Sequence, residues 1–360
     1  MIKKDIKFQG KRAILVLNTG STSLKYQFFD FYNLDCLLDG VIENIGLNEK
    51  IRSHSEALRK IFLQFNNLNF IAAVGYRFVH GGREFIKPTR LDEDALKKIE
   101  VYNKLAPLHN PYSLAVARLA MLFLPDVTHL AVFDTSFFSI LPLASKVYAL
   151  PFYFYKQGVQ RFGFHGISHE YVAQEAAKLL KKDFTKINLI ICHLGGGCSI
   201  TAIKKGRPID TSMGFTPLEG LVMQTRSGDL DPGIIFYLHN SLKLSIAEIN
   251  DILNHHSGLL GLSGRKNYLS LLKGARRGDR RAKLAFEIFV NRIKKYIGAY
   301  SAILEKVDAL VFTGAIGAGE AITRQRIIKN LKILNKSKIF AIKTNEELAI
   351  ARILKKEILE

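Results

Sequence analysis

Three apolar, strand-like runs in this chain each end in a small glycine-bearing turn. Leu15-Val16-Leu17 runs into Asn18-Thr19-Gly20-Ser21, 190–194 into Gly195-Gly196-Gly197, and 310–313 into Gly314-Ala315-Ile316-Gly317. Glycine lets the backbone approach an anion closely and aim its N–H groups at it. One such turn usually does no more than reverse the chain. Three of them, two followed by alternating return strands, predict a repeated α/β architecture that handles phosphate. At 360 residues the chain is long enough for two domains with separate cores.

The formal net charge of +20 admits nucleic acid, an anionic surface or acidic small substrates as partners. Its distribution favours a solvated basic surface over a nucleic-acid site. Lys178, Lys181 and Lys182, the arginines of 276–281, and Lys294-Lys295 spread over helix faces, with no aromatic-interleaved stripe, so neither nucleic acid nor a membrane is expected as a partner. Cys36, Cys192 and Cys198 are odd in number and lack metal-ligand spacing. No apolar run matches a signal-peptide core or a bilayer span, so a cytoplasmic, reducing location is expected.

Along the chain, 13–17 and 24–30 read as a buried strand and its hairpin partner, and 71–79 as another strand. Asp92 caps a helix over 93–104, and Pro111 opens one to Leu124. The strand 128–133 delivers Asp134 and Thr135 at its carboxyl end, where ligands collect in open α/β sheets. A second cycle follows: a helix capped by Ser168, a strand over 187–194 and a return over 199–203, copying the opening of the chain. Helices over 245–255 and 279–305, a strand over 310–313 and a closing helix from Glu346 complete the pattern.

The polar residues near these turns are rich in cations and poor in nucleophiles: Asn18, Ser21, Ser23, Lys25, Arg77, His109, Asp134, His165, Arg226 and Glu346. There is no nucleophile elbow, no zinc-binding His-Glu-x-x-His and no Walker sequence. The set suits phosphoryl transfer, in which a protein positions reactants and neutralises charge. Arg226 lies in a long stretch of turn-formers, 210–232, that is expensive to order unless it builds a site. An isolated arginine such as Arg77 more often makes a surface ion pair, and His169 reads as a helix-capping or core residue.

These residues resemble the acetate kinase family of the acetate and sugar kinase, heat-shock protein and actin superfamily. The resemblance covers nearly the whole chain. It rests on 16–25 (Val-Leu-Asn-Thr-Gly-Ser-Thr-Ser-Leu-Lys), 77–82 (Arg-Phe-Val-His-Gly-Gly), 105–111, Phe133-Asp134-Thr135, 163–166 (Gly-Phe-His-Gly), 210–232 and Thr344-Asn345-Glu346-Glu347. It implies two RNase H-like (actin-like ATPase) α/β domains with a central cleft, one over 1–138 plus 348–360 and the other over 139–347, in a homodimer joined through the second domain. The implied reaction is reversible transfer of the ATP γ-phosphoryl group to acetate, giving acetyl phosphate and ADP, with Mg²⁺ or Mn²⁺. Propionate or another short acid is the near alternative substrate, and a nucleotide-binding member without turnover is the other reading.

By the same resemblance Arg77 and Arg226 would hold the carboxylate and the moving phosphoryl group, and His165 would stabilise the phosphoryl oxygens. Asp134 and Glu346 would organise the metal, with Asn18 and Glu346 touching it, and His109 would support the site. Val79, Leu108, Phe164 and Pro217 would form the acetyl pocket. Asn18, Ser21, Ser23 and Lys25, then His193, Gly195, Gly196 and Gly197, and finally Gly314, Ile316 and Gly317 would line the nucleotide phosphates. The chain departs from the family pattern at Tyr76, Phe138, Gly196, Gln224 and Ala318, and after Ser257-Gly258-Leu259-Leu260-Gly261 it has Arg265 and Lys266 in place of an Asp-x-Arg. Several of these changes fall on the nucleotide side.

Overall fold

The structure is a computed structural model and describes residues 8, 10–47, 49–107 and 109–359. The chain divides into two units, Met1–Ser139 with Asn345–Glu360, and Ile140–Thr344. Each unit is built on one mixed sheet.

In the first unit β1 (Ala13–Thr19), β2 (Leu24–Asp30), β3 (Cys36–Ile42), β4 (Ile71–Phe78), β5 (Thr89–Arg90) and β6 (Thr128–Phe133) lie in the order β3-β2-β1-β4-β6-β5. The first three form an antiparallel meander, and β1, β4 and β6 run parallel. All seven residues of β1 are buried, as a central strand covered on both faces requires.

In the second unit β7 (Asn188–Leu194), β8 (Cys198–Lys204), β9 (Arg207–Thr211), β10 (Ala309–Thr313) and β11 (Lys338–Ala341) lie in the order β11-β10-β7-β8-β9. Read from β9, the connectivity repeats that of the first unit: an antiparallel meander, then two parallel strands beside its first member. The duplication expected from the strand–turn–strand repeat is thus present in the strand order.

Helices close these sheets where the apolar spacing demands. The 25-residue helix Arg280–Leu304 is capped by Asp279, which accepts from Ala282 N, and buries Ala282, Ala285, Phe289, Val290, Ile293, Ile297 and Leu304 at helical spacing. The helix Glu346–Leu359 packs on β1 and β4 of the first unit. Gly75 makes that crossing close: a Cβ there would meet Ile350 Cγ2 at 2.6 Å and Leu354 Cδ1 at 2.8 Å.

Three local expectations need correction. The third glycine turn is a short helix, Gly314–Gly319, because Gly314 at φ 78° turns the chain out of β10 and the small residues that follow wind directly. The helix expected to begin at Ser168 spans Gly166–Leu180, with His165 at its N-cap. The helix expected over 245–255 is α-helical only over Ile246–Asp251, behind a Ser245–Glu248 capping box, and relaxes into a π-turn over Ile252–His256.

Candidate active site

In the first unit the carboxyl ends of three parallel strands and one helix start bring polar groups together. Asn18 and Arg77 are the last residues but one of β1 and β4, Asp134 follows β6 directly, and the helix Glu346–Leu359 begins with Glu346 and Glu347. Arg77 donates from Nε and Nη2 to the two oxygens of Asp134 at 3.1 and 2.6 Å. Its Nη1 lies 3.2 Å from Asn18 Oδ1 and 3.1 Å from Glu346 Oε2, and Asn18 Nδ2 donates to Glu347 Oε1 at 2.8 Å. Burial works against the guanidinium charge, but Asp134 and then Glu346 outweigh it and raise the pKa of Arg77 further above its ordinary value. Arg77 is therefore occupied by carboxylates, which it gathers and orients.

The surrounding chain holds this set rigid. Asn110, fully buried, accepts from His80 N and donates to His80 O. Ser113 donates to Arg77 O and bonds Thr19 at the end of β1. His54, which sequence reasoning passed over, donates to Gly20 O at 2.8 Å and stacks on Tyr112, pinning the first glycine turn. Ser21 and Lys25 are exposed and Ser23 is half-buried beside that turn. Val79 is buried next to Arg77, and His109 is the N-cap of the helix Asn110–Phe123. Leu108 lies outside the described residues.

The second unit gathers a different set. His165 has a left-handed backbone, φ 59° and ψ 25°, uncommon for a residue with a Cβ and a form of strain that concentrates at functional positions. Its ring stacks on His193 of β7 at 4.4 Å, and its Nδ1 lies 3.0 Å from Ser199 Oγ on β8. The β7–β8 hairpin turns at Gly195–Gly197, closed by Gly195 N donating to Gly197 O. A methyl built on Gly197 would meet His165 Nε2 at 3.2 Å and Arg226 Nη1 at 3.6 Å, so these two side chains border the same hairpin.

Arg226 differs in kind from Arg77. Its Nη1 donates weakly to Pro217 O at 3.3 Å, and among the described residues no carboxylate pairs with it. Burial accordingly lowers its pKa. The loop bearing it is anchored: Met223 N donates to Arg226 O, Ser227 N to Leu253 O, and Gln224 N to Gly196 O on the hairpin. A second arginine missed in the sequence, Arg161, braces the same segment through Thr211 O, Met213 O and Glu219 Oε1, with Tyr148 bonded to the other oxygen of Glu219. Phe164 is buried beside His165, Pro217 is half-buried, and Ile316 and Gly317 lie buried in the short helix after β10. Cys192 and Cys198 are buried too, and burial pushes the Cys198 thiol up to about 12, which makes it inert.

The sequence matches the model of the acetokinase family over residues 13–336. It is 41% identical to the acetate kinase of Halothermothrix orenii, covering 94% of this chain and 98% of that one. The chain belongs to the acetokinase family. Among solved structures, this acetokinase-family chain is similar to the Porphyromonas gingivalis acetate kinase, with a TM-score of 0.90 and 34% identity over 97% of this chain and 100% of that one. It is also similar to a propionate kinase from Francisella tularensis, with a TM-score of 0.89 and 38% identity over 95% and 98%. The two mixed sheets and these neighbours bear out the expected actin-like ATPase fold class.

Proposed function

We propose that this acetokinase-family chain catalyses the reversible transfer of the ATP γ-phosphoryl group to acetate, giving acetyl phosphate and ADP. The observation that carries the assignment of residues is Arg226: a largely desolvated guanidinium without a carboxylate partner, bordering the same glycine hairpin as His165. A partly buried cation without a carboxylate beside it is arranged to receive an anion. Acetate is ionised at neutral pH and needs no general base. Its oxygen forms the new bond to the γ-phosphorus while the bond to the bridging oxygen breaks and ADP leaves with that electron pair. Arg226 and His165 stabilise charge on the transferring oxygens. Arg77 holds Asp134 and Glu346 in place.

Those carboxylates, with Asn18, are oxygen donors in excess over the single guanidinium, which suits Mg²⁺ or Mn²⁺. Among the described residues no group of three or more His, Cys, Asp or Glu side chains forms a metal cage, in keeping with an ion held partly by substrate phosphates. Bound there by Glu346, Asn18 and Asp134, Mg²⁺ would neutralise phosphate charge. The apolar residues Val79, Leu108, Phe164 and Pro217 are assigned to the acyl group. The similarity to a propionate kinase supports a second reading, in which propionate is the better substrate.

A cytoplasmic location is part of this reading; among the described residues no helix is long and apolar enough to cross a membrane. A homodimer is part of the reading, supported by the helix Pro232–Asn240, which buries none of its residues and leaves Ile234, Phe236 and Tyr237 exposed. The test is acetyl phosphate formation from acetate, ATP and Mg²⁺, with propionate in parallel. No product above the level of an Arg226→Ala control overturns the proposal.

A further inference from the structure

Ser199 stands in a polar string that neither the sequence motifs nor the transfer chemistry singles out. Its hydroxyl, fully buried on β8, lies 3.0 Å from Nδ1 of His165 and 2.8 Å from Nε2 of His169. A hydroxyl carries one proton and two lone pairs. When both rings are neutral it donates to one nitrogen and accepts from the other, so the two rings take opposite roles toward it. His169, one helical turn after His165, is fully buried, and burial together with His193 holds its pKa well below the ordinary value, so it is neutral near pH 7. His165 is also faced by His193, stacked on it from β7 and bonded to Ser168, and by Arg226 from the 210–232 segment. Which ring nitrogen carries the proton is set by the hydrogen bond at the other.

We infer that Ser199, oriented by His169, is a positioning residue that fixes the tautomer of His165. His169 Nε2–H donates to Ser199, Ser199 donates to His165 Nδ1, and the proton of the neutral His165 ring is left on Nε2. That nitrogen borders Gly197 together with Arg226 Nη1, so the string makes it a donor on the side where the guanidinium also donates. The inference rests on the reading of His165 as a phosphoryl-facing group, and deepens it: the ring serves as a hydrogen-bond donor at Nε2, held in that role by its neighbours.

The test is a ¹H–¹⁵N correlation of the ring nitrogens in the full-length, histidine-labelled protein. It compares wild type with Ser199→Ala, Ser199→Thr and His169→Leu, uses His165→Ala to assign the signal, and is run beside kcat and KM as a function of pH. Wild type is expected to show His165 protonated at Nε2 alone in its neutral form. Ser199→Ala and His169→Leu are expected to show a mixture of tautomers. In Ser199→Ala kcat should fall roughly tenfold or more while KM for acetate stays within about threefold, with the acid limb of the kcat profile displaced. Ser199→Thr, which keeps the hydroxyl, should restore the single tautomer and most of kcat.

A wild-type proton on Nδ1, or an unchanged tautomer and kcat in Ser199→Ala, overturns the inference. Should Ser199→Ala not fold, the wild-type spectrum still decides. Full turnover in His165→Ala would sink the functional reading of that ring while the tautomer measurement stood on its own.

Discussion

Arg77 and Asp134 form a two-point contact, Nε to Oδ1 at 3.1 Å and Nη2 to Oδ2 at 2.6 Å, joining the carboxyl ends of two adjacent parallel strands. The Asp134 side chain is 1% exposed and that of Arg77 17%. Asp134→Asn leaves the guanidinium largely buried and removes its two-point carboxylate partner, with Glu346 and the more weakly acting Glu347 as its remaining anionic neighbours. It should lower stability by about 3 kcal/mol, read from urea denaturation, and reduce acetyl phosphate formation at least a hundredfold.

Arg226→Ala is expected to behave in the opposite way toward stability. The side chain is desolvated without a carboxylate to compensate it, so its removal should leave the melting temperature unchanged or higher. Activity should fall roughly a thousandfold in kcat/KM. A melting temperature lowered by several degrees would contradict the account of this arginine as a cation held ready for an anion.

Glu346→Gln should weaken divalent-ion binding in the presence of ADP, measured by calorimetry, while the melting temperature of the metal-free protein falls only slightly. The Arg77–Asp134 contact persists in that variant, so the first unit keeps its frame. Equal Mg²⁺ affinity in variant and wild type would remove Glu346 from the metal set.

Tyr76 and His129 make a pH-dependent contribution to stability. His129 Nε2 donates to Leu124 O at 2.8 Å, which leaves Nδ1 to accept from Tyr76 OH at 2.6 Å, and burial lowers the pKa of His129. The unfolded chain therefore binds a proton more readily than the folded one. Stability from this group is full above about pH 6.5 and is lost as pH falls through and below that value. His54 and His169, also lowered chiefly by burial, act with the same sign. Denaturation midpoints at pH 5 to 8 should rise with pH and level off near 7, and Tyr76→Phe should cost about 1–3 kcal/mol at pH 7 by stranding Nδ1.

The helix Pro232–Asn240 gives a test of assembly. If the proposed homodimer forms through this exposed face, Phe236→Glu should convert it to a monomer by sedimentation, because an isologous contact would place the new carboxylate against its own copy.

Much of the frame was legible because it follows from local chemistry. The unbroken apolar runs of β1, β7 and β10 announced central strands, and turn residues marked where Asn18 and Asp134 would lie. What was not legible depends on partners distant in sequence. Ser199 sits in an ordinary alternating strand, and only the fold brings it to His165, 34 residues away. Glu347 reads as the first turn of a helix until its hydrogen bond to Asn18 is seen, across 329 residues. The third glycine run misled because glycine after a strand marks a turn without specifying that a helix winds from it. His54 and Arg161 carried no signal at all, since a histidine or arginine that braces carbonyls needs no motif around it.

The helix Glu346–Leu359 is translated only after the whole of Ile140–Thr344, yet it covers β1 and β4 and supplies Glu347, which accepts from Asn18, and Glu346, which pairs with Arg77. During synthesis the first unit must wait, its apolar surface around Gly75 uncovered, while the second is made, roughly 10 to 40 s at about 5–20 residues per second. The second unit has no such debt to later sequence. A nascent chain of this protein should therefore present a finished second sheet beside an unsealed first one, and the Arg77 cluster is the last part of the molecule to acquire its full charge.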